Sequence, residues 1–88
     1  MPQIDIYTTR FCPYCVRAKR MLERKGVSYN ELPIDTQPGL SEEMIQRSQR
    51  TSVPQIFIDD FHVGGFDDMA ELDMDGKLDP LLGDSGES

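Results

Sequence analysis

Cys12 and Cys15 are the only thiols in the chain's 88 residues, and only Pro13 and Tyr14 separate them. Three kinds of chemistry could use such a pair. A structural disulfide would close a loop too short to remove much entropy from the unfolded chain, so it would be a poor staple. A zinc site needs about four ligands. Beyond the pair the chain offers one histidine, His62, and carboxylates, without a second Cys-x-x-Cys or paired histidines. Thiol–disulfide exchange needs only one sulfur that attacks and one that resolves, and it is the chemistry this spacing favours.

Such chemistry depends on what holds the sulfurs. The segment Gln3-Ile4-Asp5-Ile6-Tyr7-Thr8 alternates apolar and polar residues, which predicts a half-buried strand with Ile4 and Ile6 on one face. From Pro13 the period becomes helical: Cys15, Ala18, Met21 and Leu22 fall on one stripe, Arg17, Arg20 and Arg24 face elsewhere, and Gly26 is a stop signal. The pair therefore sits at a strand-to-helix junction. There the first sulfur occupies the N-cap, where unpaired backbone N–H groups and the positive end of the helix dipole favour negative charge. This makes Cys12 the expected nucleophile. Cys15, one turn into the helix and more buried, is placed to resolve a mixed disulfide on Cys12. Pro13 suits the first helical position because it has no N–H to waste.

The rest of the chain supplies a scaffold. Val27 to Ile34 reads as a second strand, followed by the turn-rich Asp35-Thr36-Gln37-Pro38-Gly39. Ser41, as a capping residue before Glu42 and Glu43, predicts a short helix through about Gln49. Gln55 to Ile58 and Phe61 to Val63 read as a hairpin about Asp59-Asp60, with His62 as a strand residue. A third helix is expected from Phe66, stopped near Gly76, with Leu78, Leu81 and Leu82 packing back onto the sheet. Met21, Met44, Met69 and Met74 are expected to pack. One domain over residues 1–82 and a polar, mobile tail over 83–88 complete the reading.

Composition narrows the function. The chain is 38% hydrophobic and 28% charged, the balance of an ordinary globular protein. No apolar run is long enough to span a membrane, and the opening Met1-Pro2-Gln3-Ile4-Asp5 has no basic stretch leading into an apolar one, so a cytoplasmic protein is expected. Nine Lys and Arg against sixteen Asp and Glu give a net charge of −7, which argues against nucleic acid or an anionic membrane as partner. The charge is uneven. Residues 1–30 hold a surplus of +4 and residues 31–88 a deficit of −11, which leaves a local positive field near Cys12.

Cys12-Pro13-Tyr14-Cys15, Thr51-Ser52-Val53-Pro54-Gln55-Ile56-Phe57-Ile58 and Gly64-Gly65-Phe66-Asp67-Asp68 resemble, in order and spacing, three motifs of the dithiol glutaredoxins of the small bacterial type, over nearly the whole chain to about Leu82. The resemblance implies an α/β, thioredoxin-like fold: a four-stranded mixed sheet flanked by about three helices. It implies a glutathione-dependent thiol–disulfide oxidoreductase that reduces protein disulfides and glutathione mixed disulfides. Glutathione would be a co-substrate, with no tightly bound cofactor and no metal, and the enzyme a monomer acting on disulfide-bonded or glutathionylated proteins. In the family the proline of Val53-Pro54 is cis and the residue before it pairs its backbone with extended glutathione. The Gly-Gly-x-Asp-Asp segment takes the γ-glutamyl end. By that likeness Tyr14, Ser52, Val53, Pro54, Gly65, Phe66, Asp67 and Asp68 form the glutathione site, with Asp68 the stronger candidate for the ammonium. One departure stands out: many members have a lysine three residues before the first cysteine, and here that position is Thr9, with Arg10 next to it. An iron–sulfur cluster carrier with glutathione as co-ligand is the alternative, and a redoxin coupled to thioredoxin reductase a weaker one. Pro13-Tyr14 argues against the cluster, since cluster-binding relatives more often have smaller residues there.

Overall fold

The computed structural model describes residues 2–83. Its central strand, β1 (Ile4–Thr8), leads through a short loop into α1 (Pro13–Arg24). There follow β2 (Asn30–Pro33), α2 (Leu40–Ser48), β3 (Gln55–Ile58), β4 (Phe61–Gly64), α3 (Phe66–Met74) and α4 (Leu78–Leu81). The sheet order is β2-β1-β3-β4, with β1 parallel to β2 and antiparallel to β3, and β3 antiparallel to β4. The mixed four-stranded α/β fold expected from the sequence is present.

Two apolar cores lie on opposite faces of this sheet. Ile4 and Ile6 of β1, with Ile56 and Ile58 of β3, meet Ala18, Met21 and Leu22 of α1, Met69 of α3, and Leu78 and Leu82 at the chain's far end. On the other face Tyr7 and Phe57 pack against Met44 of α2, with Leu32, Ile34 and Val53 at the margin. Hence β1 is buried along its whole length, not half-buried as its alternation suggests. Its polar positions tolerate this because each has partners: Asp5 receives Asn30 Nδ2 and Arg47 Nη1, and Thr8 Oγ1 donates to Glu31 Oε2 at 2.9 Å. Tyr7 Oη donates to Glu43 and accepts from Arg47, whose guanidinium lies 3.9 Å from the Phe57 ring centroid. An alternating strand is ordinarily wet on its polar face; here α2 covers the face of Asp5 and Tyr7, and α2 and β2 together supply the counter-groups.

Four further expectations need correction. The second strand is only Asn30–Pro33, because Val27 and Tyr29 turn inward to pack against the core beneath α1 instead of extending the ladder. Ser41 does not cap α2: Gly39, at φ +87°, is the residue before the first turn, and Ser41 lies inside it. A fourth helix, α4, follows α3, too short at one turn to show a period in sequence; buried Leu78 and Leu82 hold it to the core. Met74 is 87% exposed, whereas Met21, Met44 and Met69 are buried as expected. Residues 84–88, most of the expected tail, lie outside the described residues. Among the described residues no helix is long and apolar enough to cross a membrane.

Candidate active site

Cys12 is the N-cap of α1, with extended backbone (φ −128°, ψ 105°), and the N–H of Cys15 donates to its Sγ at 3.1 Å. The helix thus presents a donor to the first sulfur, and Pro13 behind it has no N–H to satisfy. Both cysteines are free thiols. Cys12 is half-buried, while Cys15 is 1% exposed beneath the first turn. Burial, and then the bond to Cys12, push the Cys15 thiol up to about 12, so it keeps its proton while the pair is reduced. The two sulfurs have the unequal exposure that attack and resolution require.

The loop entering β3 comes down beside Cys12. Its Val53–Pro54 bond is cis, and the Val53 carbonyl oxygen is 3.9 Å from Cys12 Sγ. Gln55, 1% exposed, ties this loop to the sheet: its Nε2 donates to the Ser52 carbonyl at 3.0 Å and reaches Ser52 Oγ at 3.4 Å, while its Oε1 lies 2.7 Å from His62 Nε2. His62 stacks on Phe57 with centroids 4.7 Å apart. Burial, and then the nearby Arg50 and Arg47 cations, hold its imidazole below the ordinary 6.5. It is a strand residue that supports the loop from behind.

The third contributor is the start of α3. Gly65 caps it, and its N–H donates to Asp68 Oδ2 at 2.9 Å, the carboxylate half of a capping box. Arg50 Nη1 meets the same oxygen at 3.3 Å. The Gly65 N–H, and then Arg50, hold the Asp68 carboxyl below its usual range. Gly64 has φ +109°, and a Cβ there would stand 2.3 Å from Asp68 Oδ2, so only glycine lets the chain turn into α3 with this carboxylate in place. Tyr14 and Phe66 face each other across the gap at 6.4 Å between ring centroids.

These three elements enclose an open cleft of about 180 Å³. All eight residues named for the glutathione site by resemblance line it: Tyr14 from α1, Ser52, Val53 and Pro54 from the loop, and Gly65, Phe66, Asp67 and Asp68 from the start of α3. Arg50 and Gln55 line it too, and neither was singled out from sequence. Arg50 had one available signal: it is one of only three cations in residues 31–88 and stands two residues before Ser52. Arg10, by contrast, directs its backbone N and Nε to Asp35, both at 3.1 Å, and does not line the cleft. Among the described residues no three His, Cys, Asp or Glu side chains converge as metal ligands.

A sheet of order β2-β1-β3-β4 with a dithiol at the end of its central strand, set against a cis-proline, defines a thiol–disulfide oxidoreductase of the thioredoxin-like class. Comparison with known proteins narrows this. The glutaredoxin family model matches residues 4–63. The chain is 60% identical over 82 residues to Glutaredoxin 3 of Escherichia coli strain K12, an alignment covering 93% of this chain and 99% of that protein. Among solved structures it is similar to the solution structure of glutaredoxin from Brucella melitensis (TM-score 0.82, 48% identity, covering all of this chain and 96% of that one). It is also similar to the crystal structure of a buckwheat glutaredoxin–glutathione complex (TM-score 0.86, 28% identity, covering 97% and 80%). The chain belongs to the glutaredoxin family of thiol–disulfide oxidoreductases, and Cys12 and Cys15 are the only cysteines it has.

Proposed function

We propose that this glutaredoxin takes its electrons from glutathione and that the cleft beside Cys12 holds the glutathionyl group. The observation that carries this reading is the convergence of the cis-proline loop and the start of α3 on one cleft, with Val53 of its lining 3.9 Å from the half-buried Cys12 sulfur. A tripeptide with a carboxylate and an ammonium at one end and a carboxylate at the other needs charges of both signs. The first N–H groups of α3 suit the γ-glutamyl carboxylate, and Asp68 the ammonium beside it. Arg50 supplies positive charge in the same cleft, where Thr9 leaves the usual lysine missing and Arg10 is engaged elsewhere.

The reaction runs in two exchanges. Cys12 thiolate attacks the glutathionyl sulfur of a mixed disulfide; the new S–S bond forms as the protein thiolate departs with the electron pair. A second glutathione thiolate then attacks that glutathionyl sulfur, releasing glutathione disulfide and restoring Cys12. With a protein disulfide, Cys12 is left bonded to the substrate, and Cys15 gives up its proton as it attacks Cys12 Sγ to release the reduced protein. Turnover of a small glutathione mixed disulfide, coupled to glutathione reductase and run beside a thioredoxin-reductase control, is the test. Turnover with glutathione and glutathione reductase is expected; turnover only with thioredoxin reductase would overturn the assignment.

A further inference from the structure

Six of the nine cations lie in residues 1–30, and the structure divides them. Arg10 is paired with Asp35, Lys19 with Glu31, and Lys25 with both Asp73 and Asp79. Arg17, Arg20 and Arg24 are exposed and form no salt bridge among the described residues. Spaced three and four apart on α1, they form one stripe on the helix face turned away from buried Cys15, Ala18 and Leu22. Pro13, four residues before Arg17, carries that stripe up to Cys12, a run of roughly 16 Å at 1.5 Å per residue. Like charges at this spacing weaken a helix, and among the described residues none of the three is held in a salt bridge that would offset this.

A second observation lies at the upper end of the stripe. Phe11 is 90% exposed, Tyr14 52% and Val16 40%, all within four residues of Cys12. The Arg10 guanidinium lies 5.8 Å from the Phe11 ring centroid, and that of Arg17 lies 5.5 Å from Tyr14's. Aromatic residues interleaved with arginine around a reactive group have the composition of an interface centre, not of idle surface. Only Tyr14 of these also lines the cleft.

We propose that this face, from Phe11 past Cys12 and along the outer side of α1, docks the protein substrate, and that it selects cysteines flanked by acidic residues. The proposal rests on Cys12 as the attacking sulfur and does not require glutathione. Charge complementarity commits the face to an acidic segment. The rest of the chain, with fourteen acids against three cations over residues 31–88, disfavours such a segment on balance, so the net attraction favours the approach that brings a disulfide to Cys12. The net charge of −7 disfavours an extended polyanion, which would have to lie against the acidic remainder as well.

The test uses two synthetic peptides, identical except that one carries glutamates and the other glutamines beside a cysteine capped as its thionitrobenzoate mixed disulfide. Cys12 thiolate attacks the peptide sulfur, the Cys12–peptide disulfide forms, and coloured thionitrobenzoate leaves with the electron pair, giving the rate directly. The acidic peptide is expected to react about tenfold faster at low salt, the advantage falling to within about twofold at high salt. Combined Arg17→Gln, Arg20→Gln and Arg24→Gln substitution is expected to abolish the advantage and leave the glutamine peptide's rate unchanged. An unaltered or raised unfolding temperature for that variant separates lost docking from lost fold. Phe11→Ser is expected to slow both peptides several-fold without changing their ratio. Equal rates with the parent protein at low salt, or a preference that survives the triple substitution, would overturn the proposal. Failure of both peptides to release thionitrobenzoate would instead remove Cys12 as the attacking sulfur, a result distinguishable from equal rates.

Discussion

One helical turn separates Cys12 from Cys15, and that turn takes the second sulfur out of solvent. The first sulfur is half-buried, accepts a backbone N–H and lies 3.9 Å from the carbonyl oxygen of Val53, which lines the cleft; the second is sealed against the core with its proton held to about 12. Roles follow from this difference. Cys15→Ser is expected to retain turnover of glutathione mixed disulfides and to lose most activity on intramolecular protein disulfides, whereas Cys12→Ser loses both. Steady-state assays on the two substrate types check this, and retention of either activity by Cys12→Ser would reverse the roles. At this scale the sequence was informative about the pair because its spacing is local. It was silent on Arg50, whose bond to Asp68 joins residues eighteen apart and depends on where α2 ends relative to α3. Gln55 was hidden for a related reason: a polar residue in an apolar strand gives no hint that its amide spans from Ser52 to His62.

The start of α3 combines a structural and a chemical duty in a single carboxylate. Asp68 caps the helix through Gly65 and pairs with Arg50, yet its side chain remains 45% exposed to the cleft. In Asp68→Asn the amide oxygen can still accept from Gly65, so the loss of stability is expected to be at most about 1 kcal/mol. A charge-assisted bond to a γ-glutamyl ammonium, worth ~1.5–3 kcal/mol, would be lost outright, lowering kcat/KM for glutathione substrates tenfold to hundredfold. Kinetics of this variant on a glutathione substrate and on a neutral disulfide check the division, and equal losses on both would mean a general structural effect. The order of strands and helices was legible here, as was the placing of motifs at their ends, because period and turn residues are encoded within each segment. The shortness of β2 and the existence of α4 were not. Both depend on where Tyr29 and Leu82 find room in the core, which is decided by α1 and α3.

Across the whole molecule, two cores on opposite faces of the sheet bury polar strand positions whose partners come from other elements, and this makes stability sensitive to acid. Hydrogen bonds from Asn30, Gln3 and Arg47 outweigh burial to hold Asp5 below its ordinary 3.8, and Lys19 and Thr8 do the same for Glu31. These depressed carboxylates contribute stability above their unfolded values and lose it as pH falls through the folded ones. His62, also depressed, is kept neutral by the fold, so the unfolded chain takes up its proton first and stability begins to fall below 6.5. Cys15 acts in the opposite direction: raised in the folded state, its contribution is complete below about 9.0 and is lost as pH climbs from there toward about 12. Thermal unfolding of the reduced protein is therefore expected to show its highest Tm between 6.5 and 9.0, and a Tm still rising below 6.5 would show that the His62 and carboxylate networks do not govern it. The most direct measurement of the central claim is peptide mapping by mass spectrometry of the Cys15→Ser protein after exposure to glutathione disulfide. One glutathione in disulfide linkage to Cys12, released by excess free glutathione, is expected. An unmodified Cys12 under those conditions, or a Cys12→Ser protein that takes glutathione onto Cys15 as readily, would contradict that claim.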